Sequence, residues 1–155
     1  MQGHPATILA LDISSSGVSA TVFDPNLAAL RSSRFGWEFI PDSAGRQTLS
    51  ASIVWAQTRE AIRSCLSDTE PPDGIVLSSM MHTLVLSDRE GLALSPVYTC
   101  MDSERPKFAD EVEARLGRDY NLRTGAYFHS SFPVFKLAWL GCDTPRILSR
   151  THRVL

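Results

Sequence analysis

A chain of 155 residues with 43% hydrophobic content is long enough to bury one core and to form one domain. Its formal net charge of −2 comes without a basic run, which excludes the electrostatic footprint of a nucleic-acid binder. No stretch has the length of a membrane span and the N-terminus lacks a basic-then-apolar leader pattern, so no membrane partner is expected.

In chain order, residues 7–13 and 17–24 read as two strands joined by a short Ser/Gly turn. Asp24-Pro25-Asn26 is a turn signal, and Leu27 to Phe39 supplies a third strand of an antiparallel meander. A loop at Ile40 to Arg46 follows. Ser50 caps a helix predicted to run to about Ser67, with Ile53, Val54, Ala61, Ile62 and Leu66 on its inner side. The apolar run Gly74 to Met80 reads as a buried strand, parallel to the first if the helix is a crossover.

Leu84 to Leu94 has the pattern of a hairpin turning at Glu90-Gly91. Ser103 to Gly117 reads as a solvated, charged helix with Pro106 in its first turn, and Pro133 to Leu140 as a short amphipathic helix. The three cysteines, Cys65, Cys100 and Cys142, form no CxxC pair. They read as small buried hydrophobes in a reduced, cytoplasmic setting.

Chemistry concentrates first in the opening strand, turn and strand. The apolar run delivers Asp12, the turn supplies Ser14, Ser15 and Ser16, and Val18, Ala20 and Val22 alternate on the return. Backbone amides and hydroxyls at such a mouth suit a phosphate, and the carboxylate suits Mg²⁺ or its waters. Asp12 as a simple turn cap is the plainer alternative.

Four segments, in order, resemble the N-terminal half of the FGGY family of carbohydrate kinases, the gluconate and xylulose kinases in particular. The opening hairpin is similar to that family's Asp-x-Gly-Thr-Ser/Thr phosphate loop, and Ser78-Ser79-Met80-Met81-His82-Thr83-Leu84 to its Ser-x-Gln-Met-His-Gly/Ser segment. Asp88 to Asp102 resembles the D-x-x-G-x-x-L-x-P-x-I-x-W-x-D-x-R signature. Arg123 to Leu140 resembles R-T-G-x-x-x-H-x-x-x-P-x-x-K-L-x-W-L of gluconate kinases.

The resemblance implies an α/β chain with the ribonuclease H-like, actin-like ATPase fold: an incomplete N-terminal domain with a mixed sheet and helices. Core strands and a crossover helix would occupy about residues 7–80, and a substrate-side hairpin and helices residues 81–155. It further implies transfer of a phosphoryl group from ATP, with Mg²⁺, to a hydroxyl of a small sugar or sugar acid. Asp12 would organise the metal, and Ser14, Ser15 and Ser16 would line the phosphate turn. Met81, His82 and Asp102 would face the polyol, with His129 near an acid end. The family's general base and adenine-binding domain are expected beyond residue 155, so the isolated chain is expected to be inactive.

The chain departs from the family pattern at several places. Ser14 stands where the family has glycine, Ser19 where it has a cation, Met80 for Gln, Cys100 for Trp and Glu104 for Arg. A serine at position 14 is expected to hinder close phosphate approach and any positive φ. These changes support an alternative in which the chain is a non-catalytic sugar-binding or regulatory remnant. A metal-dependent nuclease on the same fold is disfavoured, because Ser78-Ser79-Met80-Met81 brings no carboxylate cluster.

Plainer roles stand beside the sharper ones. His82 is compatible with an ordinary half-buried histidine, Asp102 with a cap for the helix near Ser103, and His129 with packing among Tyr127, Phe128 and Phe132. Lys136 reads as a solvated or snorkelling side chain. A half-built sheet leaves an open edge, so self-association, a homodimer included, is expected.

Overall fold

The alternating run at the start of the chain folds as a hairpin of β1 (Ile8–Ser14) and β2 (Gly17–Phe23), in a computed structural model that describes residues 6–42, 45–101, 109–117 and 119–155. There follow β3 (Ala29–Gly36), β4 (Ile40–Pro41), β5 (Gln47–Leu49), α1 (Ala51–Cys65) and β6 (Gly74–Ser79). The second half carries β7 (Leu86–Ser87), β8 (Val97–Tyr98), α2 (Ala109–Leu116), α3 (Tyr120–Thr124), α4 (Pro133–Asp143), α5 (Pro145–Arg150) and β9 (Arg153–Val154). Two units result: Met1–Glu38 with Ser52–Met80, and Phe39–Ala51 with Met81–Leu155.

The first unit is built on one sheet of strand order β3-β2-β1-β6. β1 pairs antiparallel with β2 and parallel with β6, the arrangement expected of a crossover helix between them. The period of two sends Leu9 and Leu11 of β1 and Val18, Ala20 and Val22 of β2 to one face. There they pack with Ala61 and Cys65 of α1. Burying each Leu or Val of this set contributes about 1.5–3 kcal/mol.

The helix faces the sheet along Val54, Thr58, Ala61 and Cys65, the i, i+4, i+7, i+11 stripe of an amphipathic helix. Thr58 is buried and its hydroxyl donates to the Val54 carbonyl, 2.7 Å. Ile53, predicted on the inner side, is 43% exposed instead, because it lies off that stripe.

Turn chemistry sets the strand ends. One carboxylate oxygen of Asp24 accepts from the amides of Asn26 (2.9 Å) and Ala28 (2.8 Å), and Leu27 takes a left-handed φ of 63°. The third strand therefore begins at Ala29 rather than at Leu27, and it ends at Gly36. At the β1–β2 turn, glycine is required at position 17. A Cβ there would meet the Phe35 carbonyl oxygen at 2.3 Å and the Gly36 Cα at 3.1 Å, both backbone atoms of β3.

One expectation fails in this unit. The run Gly74 to Met80 forms the parallel strand, but it is not buried: Ile75, Val76 and Leu77 are 65%, 56% and 63% exposed. α1 packs over β1 and β2, whereas β6 is the sheet edge, and among the described residues nothing covers its apolar side chains. Ser14 lies in extended β1 and is not among the positive-φ residues, so its backbone needs no conformation that serine resists.

The second unit gathers around Leu84, Leu86, Tyr98 and Leu140, with Leu137, Trp139, Ile147 and Leu148 against them. Short antiparallel ladders, β4-β5-β8 and β7-β9, replace a large sheet. The predicted hairpin is present as a bridge between Ser87 and Ala93, with Gly91 at φ 86° in its turn. The Arg46 guanidinium lies 3.5 Å from the Trp139 ring centroid and pairs with Asp42 at 2.6 Å, which docks the β4–β5 loop on α4. The start of the helix predicted at Ser103, with Pro106, lies outside the described residues; α2 is described from Ala109. Cys65 is buried as expected, but Cys100 and Cys142 are exposed, since neither lies on a face that meets a core.

Gly17→Ala is expected to destabilise the chain by roughly 1–3 kcal/mol in denaturant unfolding, because rigid backbone must move to admit the methyl group. Gly36→Ala, whose Cβ would meet only the Ser16 carbonyl oxygen at 3.4 Å, is expected to cost much less. The exposed β6 edge is expected to drive concentration-dependent self-association in analytical ultracentrifugation, reduced by Leu77→Lys. A stable monomer at high concentration would reject that expectation.

Candidate functional site

The candidate residues fall on both units. In the first, Asp12 sits near the C-terminal end of β1 on the face opposite Leu9 and Leu11, and it is exposed. Its register partners are Ser19 on β2 and Ser78 on β6. The carboxylate therefore stands in a row of hydroxyl-bearing residues at the end of two parallel strands. Among the described residues no group of three or more His, Cys, Asp or Glu side chains gathers to hold a metal. An exposed carboxylate beside hydroxyls is the kind of donor Mg²⁺ takes, since that ion is commonly held by one or two carboxylates and completes its shell with water and phosphate oxygens.

Proton counting at the turn is informative. The Ser14 hydroxyl donates its one proton to the Gly17 carbonyl, 3.0 Å. The contact of 3.3 Å between Ser14 Oγ and Ser16 Oγ must then run from Ser16 to Ser14. Trp37 closes the other side. Its indole N–H donates to the Ser15 carbonyl (3.0 Å) and its backbone N–H to the Ser16 carbonyl (3.3 Å). The turn that the sequence offers as a phosphate cradle is thus internally hydrogen-bonded, and the hydroxyl protons of Ser14 and Ser16 already have acceptors within it.

Register also reveals a cation that the sequence reading did not single out. Arg34 on β3 pairs with Ser19, so Ser78, Asp12, Ser19 and Arg34 cross the sheet in one row on one face. At about 4.8 Å per strand, Arg34 stands about 10 Å from Asp12 along that row, within side-chain reach of the intervening Ser19. Arg34 is exposed and forms no ion pair among the described residues. Nothing local in the sequence marks it, because its position depends on pairing between strands.

In the second unit, Met81 and His82 follow β6. Met81 is 74% exposed. His82 is half-buried, holds a left-handed φ of 58°, and packs against the Phe132 ring with centroids 4.6 Å apart and planes tilted by 35°. That conformation costs a non-glycine residue roughly 1–2 kcal/mol, so surrounding contacts hold it. His129 approaches the same ring at 6.0 Å. The Ser131 amide donates to His129 Nδ1 (3.2 Å), and the Ser131 hydroxyl lies 2.7 Å from the same nitrogen. Nδ1 is therefore an acceptor, which places the proton of the neutral ring on Nε2 as a donor to any ligand.

The structure thus brings His82 and His129 together around Phe132. Met81 stands in the open beside His82. Asp102 lies outside the described residues. Of the aromatic cluster expected around His129, Phe128 stacks instead on Tyr120 at 4.6 Å, and Tyr127 is 81% exposed. No helix among the described residues is long and apolar enough to cross a membrane.

Lys136 overturns its expectation. It is 4% exposed, on the inner face of α4 beside buried Phe135 and Leu140. Its ammonium donates to the carbonyls of His82 (2.6 Å), Thr99 (2.9 Å) and Ser131 (2.8 Å). A buried cation is tolerated only where hydrogen-bond acceptors converge on it, and among the described residues three carbonyls do.

Comparison with known proteins identifies the family. Residues 7–155 match the model of the FGGY family of carbohydrate kinases, N-terminal domain. The chain is 23% identical to a gluconokinase of Bacillus subtilis over 151 residues, which cover 96% of this chain and 29% of that protein. It is 24% identical to a xylulose kinase of Staphylococcus xylosus over 138 residues, 87% of this chain and 29% of that one. The fold superposes on the gluconate kinase of Lactobacillus acidophilus with a TM-score of 0.85 at 20% identity, covering 98% of this chain and 31% of the other. Plasmodium falciparum glycerol kinase, solved with ADP, gives 0.79 at 18% identity and 94% and 30% coverage. The chain therefore spans 29% of the length of these curated relatives, and its mixed α/β architecture is that of an actin-like ATPase domain. It belongs to the FGGY family of carbohydrate kinases, of which it carries the N-terminal domain.

Proposed function

We propose that residues 1–155 are the N-terminal part of an ATP-dependent kinase that phosphorylates a hydroxyl of a sugar or sugar acid. The observation that supports this reading most is the exposed Asp12 at the mouth of the β1–β2 hairpin, within a family match that runs from residue 7 to residue 155. In this reading Asp12 holds Mg²⁺ through its oxygen or a bound water, and the Ser14–Ser16 turn approaches the nucleotide phosphates. Arg34 offers charge from the neighbouring strand, in place of the cation absent at Ser19. Met81, His82, Asp102 and His129 contact the polyol, with the His129 Nε2 proton available to a carboxylate or hydroxyl. Catalysis is then positioning and charge neutralisation, and the general base comes from sequence outside these residues.

A specific observation favours a second reading, in which the chain binds sugar without catalysing transfer. The hydroxyl protons of Ser14 and Ser16 are already accepted inside the turn, which leaves fewer donors for a phosphate than a cradle needs.

Calorimetry on the chain with D-gluconate, D-xylulose and Mg-ATP separates the two readings. Polyol binding without nucleotide binding supports the second, and binding of neither rejects that second reading. His82→Ala is expected to weaken polyol binding on the order of tenfold, the loss of about one hydrogen bond. The kinase reading is tested by ATP-dependent phosphorylation of these polyols by the longest reading frame that contains residues 1–155. There, Asp12→Asn is expected to lower kcat on the order of a hundredfold with the fold intact by circular dichroism. Wild-type inactivity on every polyol tried would overturn it.

A further inference from the structure

We propose that Lys136 is a positioning residue: its buried ammonium clamps three separate backbone segments and so sets the geometry of the polyol-facing loops. The inference rests on the polyol reading above for its functional consequence, but its structural content stands on distances alone. The three acceptors are far apart in sequence. The His82 carbonyl belongs to the loop after β6, that of Thr99 to the end of β8, and that of Ser131 to the turn that opens α4. An ammonium carries three protons in a tetrahedral fan, so it can reach acceptors that lie in different directions.

Each clamped segment carries a candidate contact residue. His82 is itself clamped and Met81 precedes it. Thr99 lies three residues before Asp102, and Ser131 holds His129 Nδ1 by its amide and its hydroxyl. The clamp also accounts for the left-handed φ of 58° at His82. Its carbonyl is tied to Lys136 at 2.6 Å while its ring packs against Phe132, one residue from the Ser131 carbonyl. Thr99 is fully buried and fixed by its own side chain, which donates to the Gln47 carbonyl (3.2 Å) and accepts from the Met101 amide (3.3 Å). The loops of His82 and Thr99 meet in a single backbone bridge, Leu84 with Tyr98, and the ammonium refers both to one point on α4.

Lysine is suited to this role and arginine is not. A guanidinium is planar, so its protons cannot converge on three carbonyls arranged around a point. Methionine matches the stem of the lysine side chain but donates nothing.

The test uses the full chain, wild type, Lys136→Met and Lys136→Arg, with two readouts. The first is the imidazole resonances of His82 and His129, assigned through His82→Gln and His129→Gln, with the Trp37 indole signal of the first unit as reference. The second is affinity for D-gluconate and D-xylulose. In a folded Lys136→Met chain, both histidine signals are expected to shift or broaden together while Trp37 is unmoved, and the affinity for any polyol that binds the wild type is expected to fall at least tenfold. Lys136→Arg is expected to fall between the two.

A lysine that merely stabilises the unit would lower the melting temperature and leave the histidine signals of the folded protein in place, which would overturn the proposal. If Lys136→Met fails to fold, Lys136→Arg decides in the same way, and failure of both to fold assigns Lys136 to stability and rejects a positioning role. If the wild type binds neither polyol, the polyol reading fails, and the histidine resonances still decide whether the clamp exists.

Discussion

The central constraint on the first unit is the period-two alternation of β1. A strand paired on both edges cannot rotate, so its odd and even residues are committed to opposite faces. Leu9 and Leu11 go to the α1 side, which leaves Asp12 on the other face at the strand end. A slip of one residue would bury the carboxylate and expose both leucines, and the hydrophobic face therefore also enforces the position of the charge. Gly17 completes the device. β3 passes so close to the turn that no side chain fits there, and the same approach brings Trp37 over the Ser15 and Ser16 carbonyls.

The second unit solves a different problem. It lacks a large sheet, and its loops are held by side chains rather than by long ladders. Buried polar groups serve as fasteners when each has a partner. Lys136 takes three carbonyls, Thr99 links to the Gln47 carbonyl, and Ser95 accepts from the Leu86 amide while donating to the Pro96 carbonyl. Arg46 spans Asp42 and the Trp139 face. Such contacts fix loops that have no long ladder of their own.

The departures from the family pattern take on different weights in three dimensions. Ser14 for glycine is harmless to the backbone, because β1 is extended there. Its consequence is chemical, a hydroxyl that closes on Gly17 and gathers Ser16 with it. Ser19 stands where the family has a cation, and its register partner Arg34 carries a positive charge one strand over on the same face.

Much of the first unit was legible in the sequence because its determinants are local. The hairpin, the Asp24 turn, the crossover helix and the parallel β6 all follow from alternation, turn residues and a helical stripe, as do Asp12 and the serine turn. The family itself was legible from four ordered segments. What the sequence could not decide depends on partners distant along the chain. The apolar run of β6 reads as buried, but among the described residues β6 is the outermost strand of its sheet, and α1 lies over β1 and β2. The short strands β4, β5, β8 and β9 are too brief to carry a period, and they exist only by pairing. Arg34 joins the Asp12 row through register alone. Lys136 looked like a surface lysine because no local pattern reveals three carbonyls contributed by residues 82, 99 and 131; only the folded chain makes them converge on one ammonium.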